Sequence, residues 1–368
     1  MPAGVGMYKN YLFEVVNSSN GHCTSPDAGA HDSKALVEEI AESVHSGKDK
    51  PFVYSSKDYG FYYLILKDVP FVLDCKDPRF WKLETIAKTE QAEPVYRKII
   101  KQNSLVDQLW LPSQFQEFFC ERLAADVRSI STGMGMRRGS VVSDGSSRED
   151  GVGEDFDDDQ QAIFINGTNS FERYRLISGI QQLKRTLAIY KTKSRRTYAD
   201  QVALGTVWYN GKLTLSGTWK EGIHEYTNTI LRCYSRAVLE IEKRSFSISG
   251  GWVQGERIVI SLPCTSRLET FEDVIFEKRA CAFKLLLTWK ENISSYCQKF
   301  DVVDLHTGDA MILLATIENS VLRIEVELAG SSCGNAVLRL LANIQQFLDG
   351  TAKCEFVEEV MRSVLQDA

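Results

Sequence analysis

Residues 171–200, FERYRLISGIQQLKRTLAIYKTKSRRTYAD, gather Arg173, Arg175, Lys184, Arg185, Lys191, Lys193, Arg195 and Arg196 against Glu172 and Asp200. The whole chain carries a net charge of −6 at pH 7, so this stretch is a local reversal of sign. Tyr190 and Tyr198 lie among the cations, as does Tyr174. Guanidinium and ammonium groups neutralise phosphates, and aromatic rings beside them offer faces on which unpaired bases stack. That combination points to binding of single-stranded RNA with little sequence preference. The plain structural alternative is a solvated helix face above Leu176, Ile177, Ile180, Leu183 and Leu187. The two are compatible, because one face of an element can pack while the other binds.

Catalytic motifs are absent. There is no G-x-x-x-x-G-K-[ST] phosphate loop, no strand-linked G-x-G-x-x-G, no G-x-S-x-G elbow and no kinase signature set. Cys120 with His45, or Cys264 with His306, would make a nucleophile and base, but nine Cys and five His supply such pairings by chance. The cysteines are scattered and sit mostly in apolar runs, which reads as free buried thiols of a reducing compartment. Without C-x-x-C or H-x-x-x-H spacing, neither a metal nor a cofactor is expected.

Upstream of the basic stretch, Arg148 to Asp159 carries Glu149, Asp150, Glu154, Asp155, Asp157, Asp158 and Asp159. Tethered beside the cations, this block would compete with phosphates for them. Arg137-Arg138-Gly139-Ser140 resembles a basophilic kinase target, and phosphorylation of Ser140 would extend the negative block.

The elements that must position these groups follow from patterning. The chain has 368 residues, 43% hydrophobic and 25% charged, enough to bury a large core. No apolar run is long enough to span a membrane, and the start lacks a signal-peptide pattern, so a cytoplasmic chain without a membrane partner is expected. Residues 131–161, rich in Gly and Ser, are expected to form a disordered loop between an α+β part at 1–130 and a second at 162–350. Residues 351–368 follow as a C-terminal helical arm.

In the first part, 8–16 and 61–74 have strand composition, with Lys67-Asp68 as a turn. Leu36, Val37, Ile40, Ala41 and Val44 mark a helix, and helical spacing is expected over 80–88, from near Pro94 and from near Pro112. The last of these would carry Phe115, Phe118, Phe119, Leu123 and Val127 on one face. In the second part, a helix from Ser170 to about Lys193 would carry the basic residues. A hairpin at 202–216 turns at Asn210-Gly211, and a helix containing Tyr226, Ile230, Tyr234 and Val238 follows. Strands are expected at 257–262, 281–289, 310–317 and 321–328, then helices at 335–348 and 351–366. Strands interspersed with single helices give an α+β class, with mixed helices and antiparallel strands. The last helix places Phe356, Val357, Val360, Met361, Val364 and Leu365 on one face. That face must dock on its own domain or reach a second copy as a self-associating arm.

GFYYLILKDVPFVLDCKDPRFWKLETIAKTEQ (60–91), continuing into VDQLWLPSQFQEFFCERLAADVRS (106–129), resembles the fijivirus major viroplasm protein family, the matrix of the cytoplasmic factories of plant reoviruses. The resemblance implies a non-structural protein of the host cytoplasm, non-enzymatic or weakly NTP-hydrolysing. It also implies binding of single-stranded RNA, contact with other viral replication proteins, and assembly into ring-like homo-oligomers through the arm at 354–368. The missing phosphate loop leaves the hydrolysis without residues. The strand, helix and hairpin at 8–16, 32–44 and 52–74 also resemble a longin-like domain, which implies instead a protein-binding adaptor of membrane traffic.

Overall fold

A strand whose two faces are both buried has no alternation to read, and β1 (Tyr8–Val15) is such a strand. It lies at the centre of the fold. The computed structural model describes residues 7–16, 31–44, 51–56, 60–122, 126–133, 162–166, 169–179, 188–245, 247–249, 252–263, 268–328 and 333–366. After β1 come α1 (His31–Val44), β2 (Phe52–Ser55), β3 (Phe61–Leu66), β4 (Val69–Asp74), β5 (Phe80–Thr85), α2 (Thr89–Gln102), β6 (Val106–Gln108), α3 (Ser113–Arg122) and β7 (Asp126–Gly133). Then follow β8 (Ala162–Asn166), α4 (Ser170–Ser178), β9 (Ile189–Tyr198), β10 (Gln201–Trp208), β11 (Lys212–Gly217) and α5 (Lys220–Ser245). A small hairpin, β12 (Ser247–Ser249) and β13 (Trp252–Gln254), precedes β14 (Ile258–Pro263), α6 (Leu268–Glu272), a π-helical turn at Asp273–Lys278 and α7 (Ala280–Phe283). The chain ends in β15 (Leu285–Ser294), β16 (Cys297–Asp304), β17 (Ala310–Glu318), β18 (Val321–Leu328), α8 (Gly334–Phe347), β19 (Lys353–Cys354) and α9 (Glu355–Gln366).

The class is α+β, and the described strand pairings are antiparallel. The larger sheet runs β2-β3-β4-β5-β1-β11-β10-β9-β7-β8, with β6 also paired to β1. The second runs β15-β16-β17-β18-β14-β19. Strands from both sides of residues 131–161 are neighbours in the larger sheet: Tyr8 of β1 faces Leu215 of β11, and β7 lies between β8 and β9. Residues 1–130 and 162–350 therefore share one sheet instead of dividing at the Ser-Gly stretch. That stretch contributes Ser131 to Gly133 to β7, while 134–161, with Ser140 and the acidic block, lie outside the described residues.

The two faces of β1 enter different cores. Tyr11, Phe13 and Val15 pack with Val37, Ile40 and Val44 of α1 and Val95, Tyr96 and Ile99 of α2. Leu12 packs instead with α5, α8 and residues of both sheets, including Leu213, Leu215, Phe300, Leu313 and Ile324. Helices thus cover opposite faces of the two halves of the larger sheet. Gly211, at φ +73, supplies the left-handed residue of the β10–β11 turn. Between the sheets lies α8, buried all round from Gly334 to Gln346.

One side chain of α8 ties the layers together. The fully buried Arg339 guanidinium pairs with Asp107 of β6 and Asp304 of β16, and its Nε donates to the Phe283 carbonyl at 2.8 Å. Asp107 also accepts from Asn335 Nδ2 at 3.1 Å and Trp110 Nε1 at 3.3 Å, and pairs with Lys284 at 3.1 Å. Nearby, Arg79 pairs with buried Glu14 of β1 and with Glu242 of α5, whose Oε1 accepts from the first amide of α8, that of Gly334, at 2.7 Å. Burial alone would raise the Glu14 carboxyl from its ordinary 4.5, but Arg79, His306 and the Cys333 thiol beside it bring it down to about 2.

Several expected elements differ. Residues 80–85 form a strand, because Phe80 and Trp81 fill opposite cores and the doubly buried run hides its period. Pro94 lies inside α2, past its first turn, where it gives up the amide hydrogen bond to the Glu90 carbonyl. Helix α3 ends at Arg122, so Val127 belongs to β7. Over 281–289 the chain is first α7, and the strand begins only after Lys284 turns it at φ +50. The arm is a core element: Phe356, Val357, Val360, Met361 and Val364 are buried as α9 packs on α3, α5 and β14, and the side chain of Leu365 lies outside the described residues. These five side chains find their partners within the chain, where the expectation had them free to contact a second copy.

Three outcomes follow from this packing. Replacing Arg339 by Met takes the guanidinium from two buried carboxylates, Asp304 and Asp107, and should cost about 3–5 kcal/mol in denaturant unfolding. Met361→Ala, at a fully buried position of α9, should cost about 2–5 kcal/mol by the same measurement. Because the folded-state value of Glu14 is depressed, its contribution is fully present above about pH 4.5 and is lost as pH falls toward about 2. Circular dichroism against pH should therefore show an acid limb in that window, shallower in Glu14→Gln.

Candidate functional site

Pairing register sorts the basic residues. Strand β9 runs between β7 and β10, with Lys191 opposite Ser131 and Trp208, Lys193 opposite Ser129 and Thr206, and Arg195 opposite Leu204. Side chains alternate along a strand, so these three cations stand on one face at intervals of about 6.6 Å. Thr214 and Ser216 of β11 continue the same rows. The result is a strip of cations set among hydroxyls, with the Trp208 ring at its side under Lys212, 4.8 Å from the ring centre. Lys193 is exposed, and Lys191 and Arg195 are half-buried. Arg195 Nε is buried and has no hydrogen-bond partner among the described residues, and the residue opposite it on β7 is Asp126.

The alternate residues of β9 face α3 and α5. Ser194 Oγ and Tyr226 OH share a hydrogen bond at 2.6 Å. Arg196 lies 3.7 Å from Glu225 and over the Trp219 ring, on which Tyr198 stacks at 5.5 Å with 22° between the planes. Tyr190 packs against Tyr209 at 5.4 Å.

Arg173 and Arg175 belong to α4, which packs through Tyr174 on Ile130 and Ile165, the face of the sheet turned away from Lys191, Lys193 and Arg195. Arg173 donates to the Asn166 carbonyl at 3.1 Å, and Arg175 lies 3.9 Å from Glu121. Lys184 and Arg185 lie outside the described residues. In place of the single basic helix expected from 170 to about 193 there is a short helix, α4, packed on one face of the sheet, and a strand, β9, within it. Thr192, Ser194 and Thr197 suit a strand, but cations on both sides of β9 mask its alternation.

Other clusters of reactive side chains are engaged inside the protein. His306 Nδ1 lies 3.0 Å from the Ser104 carbonyl, its Nε2 3.5 Å from Glu14, and the Cys333 thiol donates to Glu14 at 3.0 Å. A thiol that donates to a carboxylate in a sealed core is not a nucleophile. Sequence reasoning did not pair these residues, because they lie on β1, on the turn after β16 and before α8. Cys120 is buried, and burial followed by nearby Glu117 pushes its thiol up; His45 and Cys264 lie outside the described residues. A cleft of about 380 Å³ between α3, α4 and α9 is lined by Glu117, Glu121, Arg175, Lys353, Glu358 and Arg362. Glu117 at its base accepts from Tyr174 OH at 2.6 Å, and burial raises its carboxyl. Among the described residues no group of three His, Cys, Asp or Glu is arranged to hold a metal ion, and no helix is long and apolar enough to cross a membrane.

Residues 4–361 match the model of a family described as MJECL33-like protein. A curated relative, "Uncharacterized protein MJECL33" of Methanocaldococcus jannaschii, is 26% identical over 343 residues, which cover 84% of this chain and 81% of the relative. No solved structure matches. Neither the family nor the relative carries a viral name.

Proposed function

The chain belongs to the MJECL33-like protein family, and from that premise we propose that it is a non-enzymatic protein that binds single-stranded RNA along the exposed face of β9. The observation that carries this reading is the register that sets Lys191, Lys193 and Arg195 in one row beside Ser129, Thr206 and Thr214. Cations and hydroxyls are the groups that hold nucleic-acid backbones, and they do so without reading sequence. Phe356, Val357, Val360, Met361 and Val364 are buried within the chain, so the RNA-binding part of the expectation is the one carried forward. Nor does the reading rest on the resemblance to viroplasm proteins.

A second reading, a protein-binding adaptor, draws on one observation. Phe52, Tyr54, Tyr63 and Ile65 are exposed together on the face of β2 and β3 opposite α1, with Phe52 facing Ile65 and Tyr54 facing Tyr63.

A salt titration of binding to labelled single-stranded RNA separates the two. Three neutralised phosphates give a slope of log affinity against log salt of about −2. Lys193→Gln should reduce that slope by about 0.7, while Arg196→Gln, on the other face, should leave it unchanged. If Lys191→Gln/Lys193→Gln/Arg195→Gln, folded by circular dichroism, binds RNA as the parent does, the assignment is wrong; a parent chain that ignores RNA at low salt favours the adaptor.

A further inference from the structure

The cleft between α3, α4 and α9 carries charges of both signs over a fixed floor. Each helix turns one face to it: Glu117 and Glu121 of α3 are four residues apart, as are Phe171 and Arg175 of α4 and Glu358 and Arg362 of α9. Its volume, about 380 Å³, falls within the range of roughly 300–1,000 Å³ common to small-molecule sites. The floor is held from behind. Gln114 is buried, its Nε2 donates to the Ala352 carbonyl at 3.1 Å, and its Oε1 accepts from Gln345 at 2.6 Å. Tyr174, also buried, donates to Glu117 Oε1.

The lining charges do not all pair with one another. Arg175 lies 3.9 Å from Glu121 and Arg362 lies 3.8 Å from Glu358, but Glu117 and Lys353 form no ion pair among the described residues. Glu117 is half-buried, and its second oxygen has no partner among the described residues. Burial raises its carboxyl, and the Tyr174 hydrogen bond offsets only part of that. Lys353 is exposed, yet close enough to draw the same carboxyl down in part, so one small molecule can reach both. The lining holds three acids and three bases, and a ligand of either net charge meets its like as well as its opposite. A ligand that carries both signs and no net charge meets only complements. We propose that the cleft binds a free α-amino acid with an uncharged side chain, its ammonium group on Glu117, its carboxylate on Lys353 and its side chain against the Phe118 and Phe171 rings. Neither Glu117 nor Lys353 belongs to the cation row of β9, so this site stands or falls apart from RNA binding.

Titration calorimetry on the full chain tests this with L-leucine, L-methionine and L-phenylalanine, at least one of which should bind. For the best of them, the analogue without the ammonium group and the analogue without the carboxylate are compared; for L-leucine these are isocaproate and isoamylamine. Each analogue should bind about tenfold more weakly, the size of one lost charge-assisted hydrogen bond. Glu117→Gln should weaken the amino acid by the same factor and leave the analogue without the ammonium group as it was. Lys353→Gln should do the reverse, sparing the analogue without the carboxylate. If none of the three amino acids binds, the assignment is wrong. Analogues that bind as well as the amino acid show that the two charges are not read, and overturn it too. Binding that survives both substitutions, in variants folded by circular dichroism, places the ligand elsewhere and overturns it equally.

Discussion

The arrangement depends on Arg339. Its guanidinium is fully buried, with one carboxylate from each sheet on either side, Asp107 below and Asp304 above. An apolar helix lying between two apolar sheet faces could slide or rotate at small cost. A guanidinium held in this way cannot, because any shift leaves a charge unpaired where water cannot reach it. Lys284, Asn335 and Trp110 take up the remaining capacity of Asp107, so the pair is satisfied as well as buried. Glu242 fixes the start of the same helix through the Gly334 amide and, through Arg79, the position of Glu14 on β1. The two sheets are thus keyed to α8 at its beginning and at its middle.

That keyed layer determines which surfaces are left for other work. Helices α3, α5, α8 and α9 fill the space between the sheets, and α1 and α2 cover the far half of the larger one. Strand β9 consequently packs one face on α3 and α5 and turns Lys191, Lys193 and Arg195 the other way. Ser129 and Ser131 reach the same row only because β7 crosses from the other side of the Ser-Gly stretch to lie beside β9. A strip made of cations from one strand and hydroxyls from its neighbours is therefore a product of register.

The same packing closes off alternatives that composition leaves open. The apolar face of α9 looks like an assembly surface when considered alone, yet it completes the core with α5. His306 and Cys333 have the chemistry of a reactive pair, but both are spent on Glu14 in the sealed interior.

By itself the sequence determined the α+β class, the hairpins at Lys67-Asp68 and Asn210-Gly211, the long helix around Tyr226, and the concentration of cations between 171 and 200. These are local properties, set by turn geometry, side-chain period and composition, which act over a few residues. Only the tertiary structure decided that 80–85 is a strand, since a run buried on both faces carries no period, and that 189–198 is a strand rather than the end of a helix. It alone decided that the cations of β9 divide between opposite faces of a sheet, and that Trp219 lies under Tyr198. Those outcomes depend on strand register and on which faces α8 and α5 cover, and such pairings join residues far apart in the chain, where short-range patterns carry no signal.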